Sequence, residues 1–127
     1  PILTDRGLAA ALEAHSRRTA LAMRVFTDGV GRFSSDVESA IYFCCLEGVQ
    51  NAAKHSGANH VDVILERTEG NIAFYIRDDG KGFDGNVGHG AGLQNISDRV
   101  AALSGRVVVS TGPQGTTVSG WVPATPI

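Results

Sequence analysis

The chain has 127 residues, about the length of one domain. Its formal net charge of −2 gives it no general electrostatic attraction to nucleic acid or anionic lipid, and 43% hydrophobic residues are enough to form a core. No apolar stretch approaches the roughly 20 residues of a membrane-spanning helix. The N-terminus has neither a signal-peptide pattern nor an initiator methionine, so we expect an excised fragment.

Hydrophobic periodicity predicts eight elements in the order αβαββαββ. In chain order they are a helix at 5–18, a strand at 21–25, a long helix at 36–54, strands at 61–66 and 72–77, a helix at 93–103, and strands at about 106–111 and 116–122. Ser35 followed by Glu38 is a capping-box pattern and marks the start of the long helix. The turn Glu69-Gly70-Asn71 indicates that the two middle strands are antiparallel.

This element order predicts an α+β fold, a two-layer sandwich of a mostly antiparallel, mixed sheet with helices on one face. The sequence contains no internal repeat or domain boundary, so residues 1–127 are expected to form one domain. Residues 1–20 would provide a helical segment at its start, and residues 123–127 would form a frayed tail.

The two cysteines, Cys44 and Cys45, are adjacent, which disfavours a disulfide between them because its geometry would be strained. We interpret them as small buried residues of a protein in a reducing compartment, which favours the cytoplasm. A zinc site with His55 and His60 is an alternative, but the spacing matches no standard zinc pattern.

Polar residues recur along one stripe of the long helix. Glu47 and Asn51 are four residues apart, and Lys54 and His55 follow after three and four more. Asparagine is unfavourable inside a helix, so Asn51 calls for an explanation. Carboxylate and amide oxygens are ligands suited to Mg²⁺, which often shares substrate phosphates, so the stripe is a candidate metal and phosphate site. The alternative is an ordinary solvated helix face.

The segment Asp78-Asp79-Gly80-Lys81-Gly82 follows a strand. Strand alternation places Asp78 on the apolar face, where a buried carboxylate needs a donor such as the exocyclic amine of adenine, and directs Asp79 toward solvent. Gly80 and Gly82 would let the backbone approach a flat ligand closely. A simple Asp-Gly turn is an equally good interpretation.

Six glycines fall between Gly80 and Gly92, and the last of them precede a predicted helix. Exposed amides at a helix N-terminus bind phosphate, and glycines leave room for that approach. The segment matches neither the P-loop nor the dinucleotide-binding fingerprint, since Leu93 stands where a third glycine would be required. A flexible loop is the alternative.

Taken together, the order and spacing of these motifs resemble the GHKL ATP-binding superfamily, which includes gyrase, heat-shock chaperones, histidine kinases and MutL. The matching segments are Glu47-x-x-x-Asn51, Asp78-x-Gly80-x-Gly82, Gly90-x-Gly92-Leu93 and Gly115-Thr116-Thr117. The chain from Glu47 to Val122 resembles the ATP-binding domain of two-component sensor histidine kinases. The sequences from Asn51 to Ala58 and from Gly92 to Arg99 are similar to those of the histidine kinase subclass that pairs with NarL/LuxR-type response regulators.

The resemblance implies a Bergerat fold that binds ATP and Mg²⁺. It implies that Asp78 accepts the adenine amine and that Gly80 and Gly82 shape the base pocket. It also implies that Asn51 ligates Mg²⁺ and that Glu47, the catalytic residue, lies beside the metal and either holds a metal-bound water or assists proton removal. The remaining implied nucleotide-binding residues are Lys54, His55, Gly90, Gly92, Leu93, and Thr116 or Thr117. Residues 84–89 would be a very short ATP lid.

Two departures from the family pattern matter. Gln50 stands where many members carry Asn or Thr, but it is turned about 100° from the metal stripe. The chain has no segment resembling a phosphoacceptor helix pair, so we expect a monomer that binds ATP without phosphorylating itself. Its implied partners are the histidine-bearing dimerisation segment of the parent kinase and a NarL/LuxR-type regulator. Alternatives are a hydrolytic or serine-phosphorylating GHKL enzyme, and a nucleotide-sensing or docking module without phosphoryl transfer.

Overall fold

A computed structural model describes residues 1–55, 57–82 and 90–127. Within these ranges the chain forms four helices and five strands. They are α1 (Ile2–Arg6), α2 (Leu8–Ser16), β1 (Ala22–Phe26), α3 (Ser35–His55), β2 (His60–Thr68), β3 (Asn71–Asp78), α4 (Gly90–Ala102), β4 (Arg106–Gly112) and β5 (Gly115–Pro123). None of these helices is long and apolar enough to cross a membrane.

The five strands form one mixed sheet in the order β1-β2-β3-β5-β4. β1 is parallel to β2, and the other three pairings are antiparallel. Alternate residues of β2 and β5 are buried, β3 is buried at Ile72–Phe74 and at Ile76, and α3 and α4 pack with these strands around one core. The predicted α+β fold with helices and a mostly antiparallel sheet is confirmed.

The N-terminal segment differs from the single helix predicted over residues 5–18. The chain forms two helices instead, because Gly7 has a φ of 94° between them. A side chain at this position would collide with Arg32, whose Cδ would lie 2.5 Å from the added Cβ. Leu8 and Leu12 are fully buried, so α2 contributes to the core.

Arg32 connects the first helices to the start of α3. Its guanidinium donates to both carboxylate oxygens of Glu38, at 3.0 and 3.2 Å, and to the carbonyl of Thr4 at 3.2 Å. Glu38 is only 3% exposed and also accepts from the amide of Phe33. The capping-box glutamate therefore does reach back before the helix, but it binds Phe33 and Arg32 rather than Ser35.

The tail that was expected to fray is held by two hydrogen bonds. β5 continues to Pro123, after which the amide of Ala124 donates to the carbonyl of Gly70 at 3.0 Å. The amide of Ile127 donates to the carbonyl of Arg32 at 2.9 Å. The last residues are thus fixed against the β2–β3 turn and against the residue that anchors α1.

Helix α3 crosses the sheet at Gly48, which lies against Ile76 of β3. A Cβ atom at Gly48 would be 2.6 Å from Ile76 Cδ1. The glycine therefore lets the helix approach the sheet closely. This crossing fixes how far the second half of α3 lies from the end of β3.

We predict that Gly48→Val destabilises the fold by about 1–3 kcal/mol, because the added side chain overpacks the helix–sheet contact. Denaturant unfolding measures the change. Ala53→Val is the matched control, since Ala53 is exposed on the same helix and acquires the same β-branched side chain without a core neighbour. Equal losses for the two variants would contradict the close-approach explanation.

Candidate functional site

The start of α4 meets the polar stripe of α3. A Cβ atom at Gly92 would lie 2.9 Å from Asn51 Oδ1 and 3.0 Å from Glu47 Oε2. The missing side chain is therefore what allows both polar groups to reach the first turn of α4. Amides in the first turn of a helix carry partial positive charge and bind anions, so the junction combines such amides with a carboxylate and a carboxamide.

Asn51 has an unsatisfied polar atom at this junction. Its Nδ2 is buried and has no hydrogen-bond partner among the described residues. A buried amide left without a partner costs free energy, and because Nδ2 is a donor, a ligand with acceptor oxygens such as a phosphate would satisfy it. The oxygen donors of Asn51 and Glu47 suit a hard cation such as Mg²⁺, and the donor set therefore fits the predicted metal.

Asp78 ends strand β3 with a half-buried carboxylate. Its Oδ1 accepts from the amides of Gly80 at 2.8 Å and Thr116 at 3.3 Å. Alternation places it on the same side as buried Ile76, as predicted, although its burial is only partial. The backbone amides hold one carboxylate oxygen, and no described residue donates to Oδ2.

Two glycines bring the β4–β5 turn against the residues around Asp78. Gly115 has a φ of 141°, and its added Cβ would lie 2.1 Å from the carbonyl oxygen of Asp78. Gly82 has a φ of 74°, and its added Cβ would lie 2.2 Å from the carbonyl oxygen of Gly112. Both positions exclude a side chain for reasons of backbone packing, which also explains how the Thr116 amide reaches Asp78.

The carboxylate of Asp78 and the stripe of α3 lie at the same end of the helix–sheet contact. From the crossing at Gly48 and Ile76, Asn51 lies about one turn further along α3 and Asp78 two residues further along β3. Asn51 lies near the end of α3, and Asp78 pairs with Val61 near the start of β2. Both residues therefore lie close to the connection from α3 to β2. The α3–α4 junction therefore lies at the end of the sheet where β3 ends with Asp78.

Asp79 has a structural role and points away from this region. It is exposed, as predicted, and accepts hydrogen bonds from the amides of Asn59 and His60 and from Nδ1 of His60, at 2.9–3.0 Å. These bonds, the His60 amide first, lower the pKa of Asp79 to about 2. The residue therefore joins the end of β3 to the start of β2.

The other predicted residues fall into four groups. Gly80, Leu93 and Thr116 are buried, and Thr116 pairs with Asp78 across the sheet. Thr117 pairs with Arg77 and so belongs to the opposite face, which separates it from Asp78. Lys54 is exposed at the end of α3. The predicted lid at 84–89 and the side chain of His55 lie outside the described residues. For Gly90, the structure describes only its position at the start of α4.

Cys44 and Cys45 are fully buried free thiols, as predicted. Burial raises the pKa of Cys44 to about 12 and raises that of Cys45 as well, so both remain protonated at neutral pH. In the part of the chain that the structure describes, no group of three His, Cys, Asp or Glu residues could hold a metal ion. The zinc alternative also needs His55, whose side chain lies outside the described residues.

One contact beside the site was not predicted from the sequence. The guanidinium of Arg99 lies 3.6 Å from the ring centroid of Phe43, a cation–π contact between α4 and α3. Phe43 lies one turn before Glu47 on α3, and Arg99 follows Leu93 and Ile96 on α4. The spacing of Phe43 from Glu47 was readable in the sequence, but the pairing of the two helices was not.

We predict that Gly92→Ala weakens nucleotide binding without weakening the fold. Alanine favours a helix more than glycine does, by about 1 kcal/mol at interior positions, so the unfolding temperature should not fall. The added methyl group displaces Asn51 and Glu47, and the affinity for Mg-ATP should drop about tenfold. Calorimetric titration and thermal unfolding measure the two effects. Unchanged affinity would show that the close approach of Gly92 has no part in binding.

Two bacterial proteins are similar over nearly the whole chain. The sensor histidine kinase MctS of Rhizobium johnstonii is 30% identical over 132 residues, which cover 96% of this chain and 29% of that protein. The signal transduction histidine-protein kinase/phosphatase DegS of Brevibacillus brevis is 34% identical over 131 residues, with 97% of this chain and 34% of that protein covered. The chain therefore spans about a third of the length of these relatives.

Solved structures share the fold. The blue-light activated histidine kinase of Erythrobacter litoralis EL346 superimposes with a TM-score of 0.74 at 22% identity, over 91% of this chain and 39% of that chain. The mycobacterial sensor histidine kinase MprB gives a TM-score of 0.67 at 23% identity, over 92% of this chain and 91% of that chain. These similarities confirm the predicted fold.

A family model described as histidine kinase-, DNA gyrase B- and HSP90-like ATPase matches residues 36–126. The match includes α3, α4 and every strand except β1, and therefore all the elements that carry the polar stripe, Asp78 and Gly92. The predicted resemblance to GHKL ATP-binding domains is confirmed at this level. The chain belongs to the family of histidine kinase-, DNA gyrase B- and HSP90-like ATPases.

Proposed function

We propose that this chain binds Mg-ATP and donates the γ-phosphate to a histidine on a separate dimerisation segment of its parent kinase. The observation that carries the proposal is the meeting of Glu47, Asn51 and Gly92 at the first turn of α4, at the same end of the sheet as Asp78. One half of this arrangement suits a phosphate with its metal, and the other suits a base that donates a hydrogen bond.

At the purine end, Oδ2 of Asp78, to which no described residue donates, accepts the exocyclic amine of adenine. The amides of Gly80 and Thr116 orient the carboxylate through Oδ1. The hydroxyl of Thr116 already lies 2.8 Å from that of Thr111 and completes the polar surroundings of the base. Gly80 and Gly82 form the backbone wall of the base pocket.

At the phosphate end, Asn51 holds Mg²⁺ and Glu47 lies beside it. When bound, Mg-ATP supplies the phosphoryl group and the charge neutralisation that its transfer requires. Glu47 is placed to orient the acceptor or take its proton, whereas Lys54, His55 and the first turn of α4 at Gly90, Gly92 and Leu93 hold the phosphates. Catalysis rests mainly on positioning and on electrostatic stabilisation.

The partner assignment rests on the two relatives, which are named as a sensor histidine kinase and as a signal transduction histidine-protein kinase/phosphatase. We assign the acceptor histidine to a dimerisation segment of the parent protein and the signal to a response regulator of the NarL/LuxR type. The chain itself is a cytoplasmic monomer that does not phosphorylate itself.

The test has two steps. Calorimetric titration of the 127-residue chain with Mg-ATP should give saturable binding, and the full-length product of its gene should then acquire acid-labile phosphate on histidine. A flat titration contradicts the proposal. Rapid phosphate release by the isolated chain would favour a hydrolytic ATPase, and binding without any phosphohistidine would favour a nucleotide-sensing module.

A further inference from the structure

Two contacts of defined geometry connect helices α3 and α4. At the start of α4, a Cβ atom at Gly92 would lie 2.9 and 3.0 Å from side-chain oxygens of Asn51 and Glu47. Near the end of α4, the guanidinium of Arg99 lies 3.6 Å from the ring centroid of Phe43. Gly92 and Arg99 are seven residues apart, which places them on the same side of α4 and about 10 Å from each other.

The residues of α4 between these two contacts are held by apolar packing. Leu93 and Ile96 are buried in the core, and the thiol of Cys44 makes only a long hydrogen bond of 3.9 Å to the carbonyl oxygen of Ile96. Apolar contacts are non-directional, and packed helices can slide past each other by 1–2 Å. This packing therefore resists separation of α3 and α4 more than it resists a small displacement of α4 along α3.

The contact of Arg99 with Phe43 is directional, because it is kept only while the guanidinium remains over the face of the ring. At 3.6 Å from the ring centroid, the two flat groups are in van der Waals contact. No carboxylate in the described part of the chain forms a salt bridge with Arg99. Within that part of the chain, the ring is the group that fixes the position of this guanidinium.

The charge of Arg99 also lies near that of Glu47. Burial raises the pKa of the Cys44 thiol to about 12, the positive charge of Arg99 opposes this rise, and the negative charge of Glu47 adds to it. Both charges therefore reach the same buried side chain. This places the guanidinium on the side of the α3–α4 contact that carries Glu47.

We propose that Arg99 is a positioning residue for phosphoryl transfer, which fixes α4 along α3 by stacking on Phe43. It thereby keeps Gly92 against Glu47 and Asn51 without contacting the nucleotide. The inference rests on the proposed function, because the rate that Arg99 controls is that of phosphoryl transfer. A cation–π contact at an exposed position adds little to stability, whereas a displacement of about 1 Å at a reacting group can lower the rate about 100-fold.

The test compares Arg99→Gln, Phe43→Leu and the double variant in the full-length product of the gene. Each single change should lower the rate of histidine phosphorylation at saturating Mg-ATP at least tenfold, while Mg-ATP affinity stays within about threefold. Because Arg99 is exposed, Arg99→Gln should shift the unfolding temperature by no more than about 4 °C. The double variant should be no slower than the slower single variant, because both changes break the same contact. Phe43→Tyr, which keeps the ring, should retain the rate within about threefold.

The matched control is Arg24→Gln, on strand β1 at the edge of the sheet. Arg24 also lies over an aromatic ring, 5.5 Å from the centroid of Phe26, and it forms a salt bridge with Asp62. The control variant thus loses the same kind of contact and an ion pair in addition. It should be at least as destabilised as Arg99→Gln and still transfer phosphate at the unmodified rate.

The outcomes separate the two proposals. An unmodified transfer rate in Arg99→Gln overturns the positioning role and leaves the proposed function intact. Additive losses in the double variant also overturn it, because Arg99 and Phe43 would then act separately, and so does an equal loss of rate in Arg24→Gln. An unmodified protein that binds Mg-ATP but forms no phosphohistidine refutes the proposed function, and the positioning role with it.

Discussion

Asp78→Asn is expected to weaken Mg-ATP binding about 10- to 100-fold. The asparagine oxygen can still accept from the amides of Gly80 and Thr116, as Oδ1 does now at 2.8 and 3.3 Å. Its amide nitrogen then takes the place of Oδ2. Because this nitrogen and the adenine amine are both donors, no hydrogen bond can form between them. Loss of a hydrogen bond to a charged group corresponds to about 1.5–3 kcal/mol, which gives the expected change in affinity.

The matched control is Asp79→Asn, the same change at the next residue. Asp79 binds Asn59 and His60 and points away from the site, so this variant should lose stability at neutral pH but keep its affinity. Calorimetric titration measures the affinities, and thermal unfolding shows that both variants are folded. If the two variants bind Mg-ATP equally well, Asp78 does not contact the base.

Glu47→Gln should preserve nucleotide affinity to within about twofold and reduce phosphoryl transfer at least 100-fold, the usual lower limit for a positioned acid or base. The amide keeps the size and the oxygen of the side chain beside Gly92 but can no longer take a proton. The measurement is the rate of histidine phosphorylation in the full-length gene product at saturating Mg-ATP.

The control for Glu47 is Glu66→Gln, which removes the same charge from an exposed position on β2 and should change neither quantity. A normal transfer rate in Glu47→Gln would remove this residue from the reaction. An equal loss of binding and transfer would instead assign it to holding the metal, since only ground-state affinity would then have changed.

Local patterns were sufficient to predict most of the fold. Alternation predicted β2 and β3, and the capping pattern at Ser35 predicted the start of α3, because both depend on neighbours within a few residues. The parallel pairing of β1 with β2 joins residues 38 positions apart, such as Arg24 and Asp62, and no local pattern encodes it. The break at Gly7 was missed for a similar reason: the side chain that fills its space belongs to distant Arg32.

The candidate site was predicted residue by residue but not in its contacts. The spacing of Glu47 and Asn51 indicated the polar stripe, yet its contact with Gly92 depends on how α4 packs against α3. The expected donor to Asp78 was a ligand, whereas two backbone amides already satisfy one oxygen. The sequence also could not distinguish Thr116 from Thr117, because only the register with β3 decides which threonine shares the face of Asp78.

The attachment of α1 at Arg32 has a mechanical consequence. Arg32 binds Thr4 and Glu38, so the first helix is fixed to the first turn of α3. With 21 residues, α3 is a stiff rod of about 30 Å that turns as a unit. A displacement of α1 would therefore act on the first turn of α3, ahead of the crossing at Gly48 that holds this helix against β3.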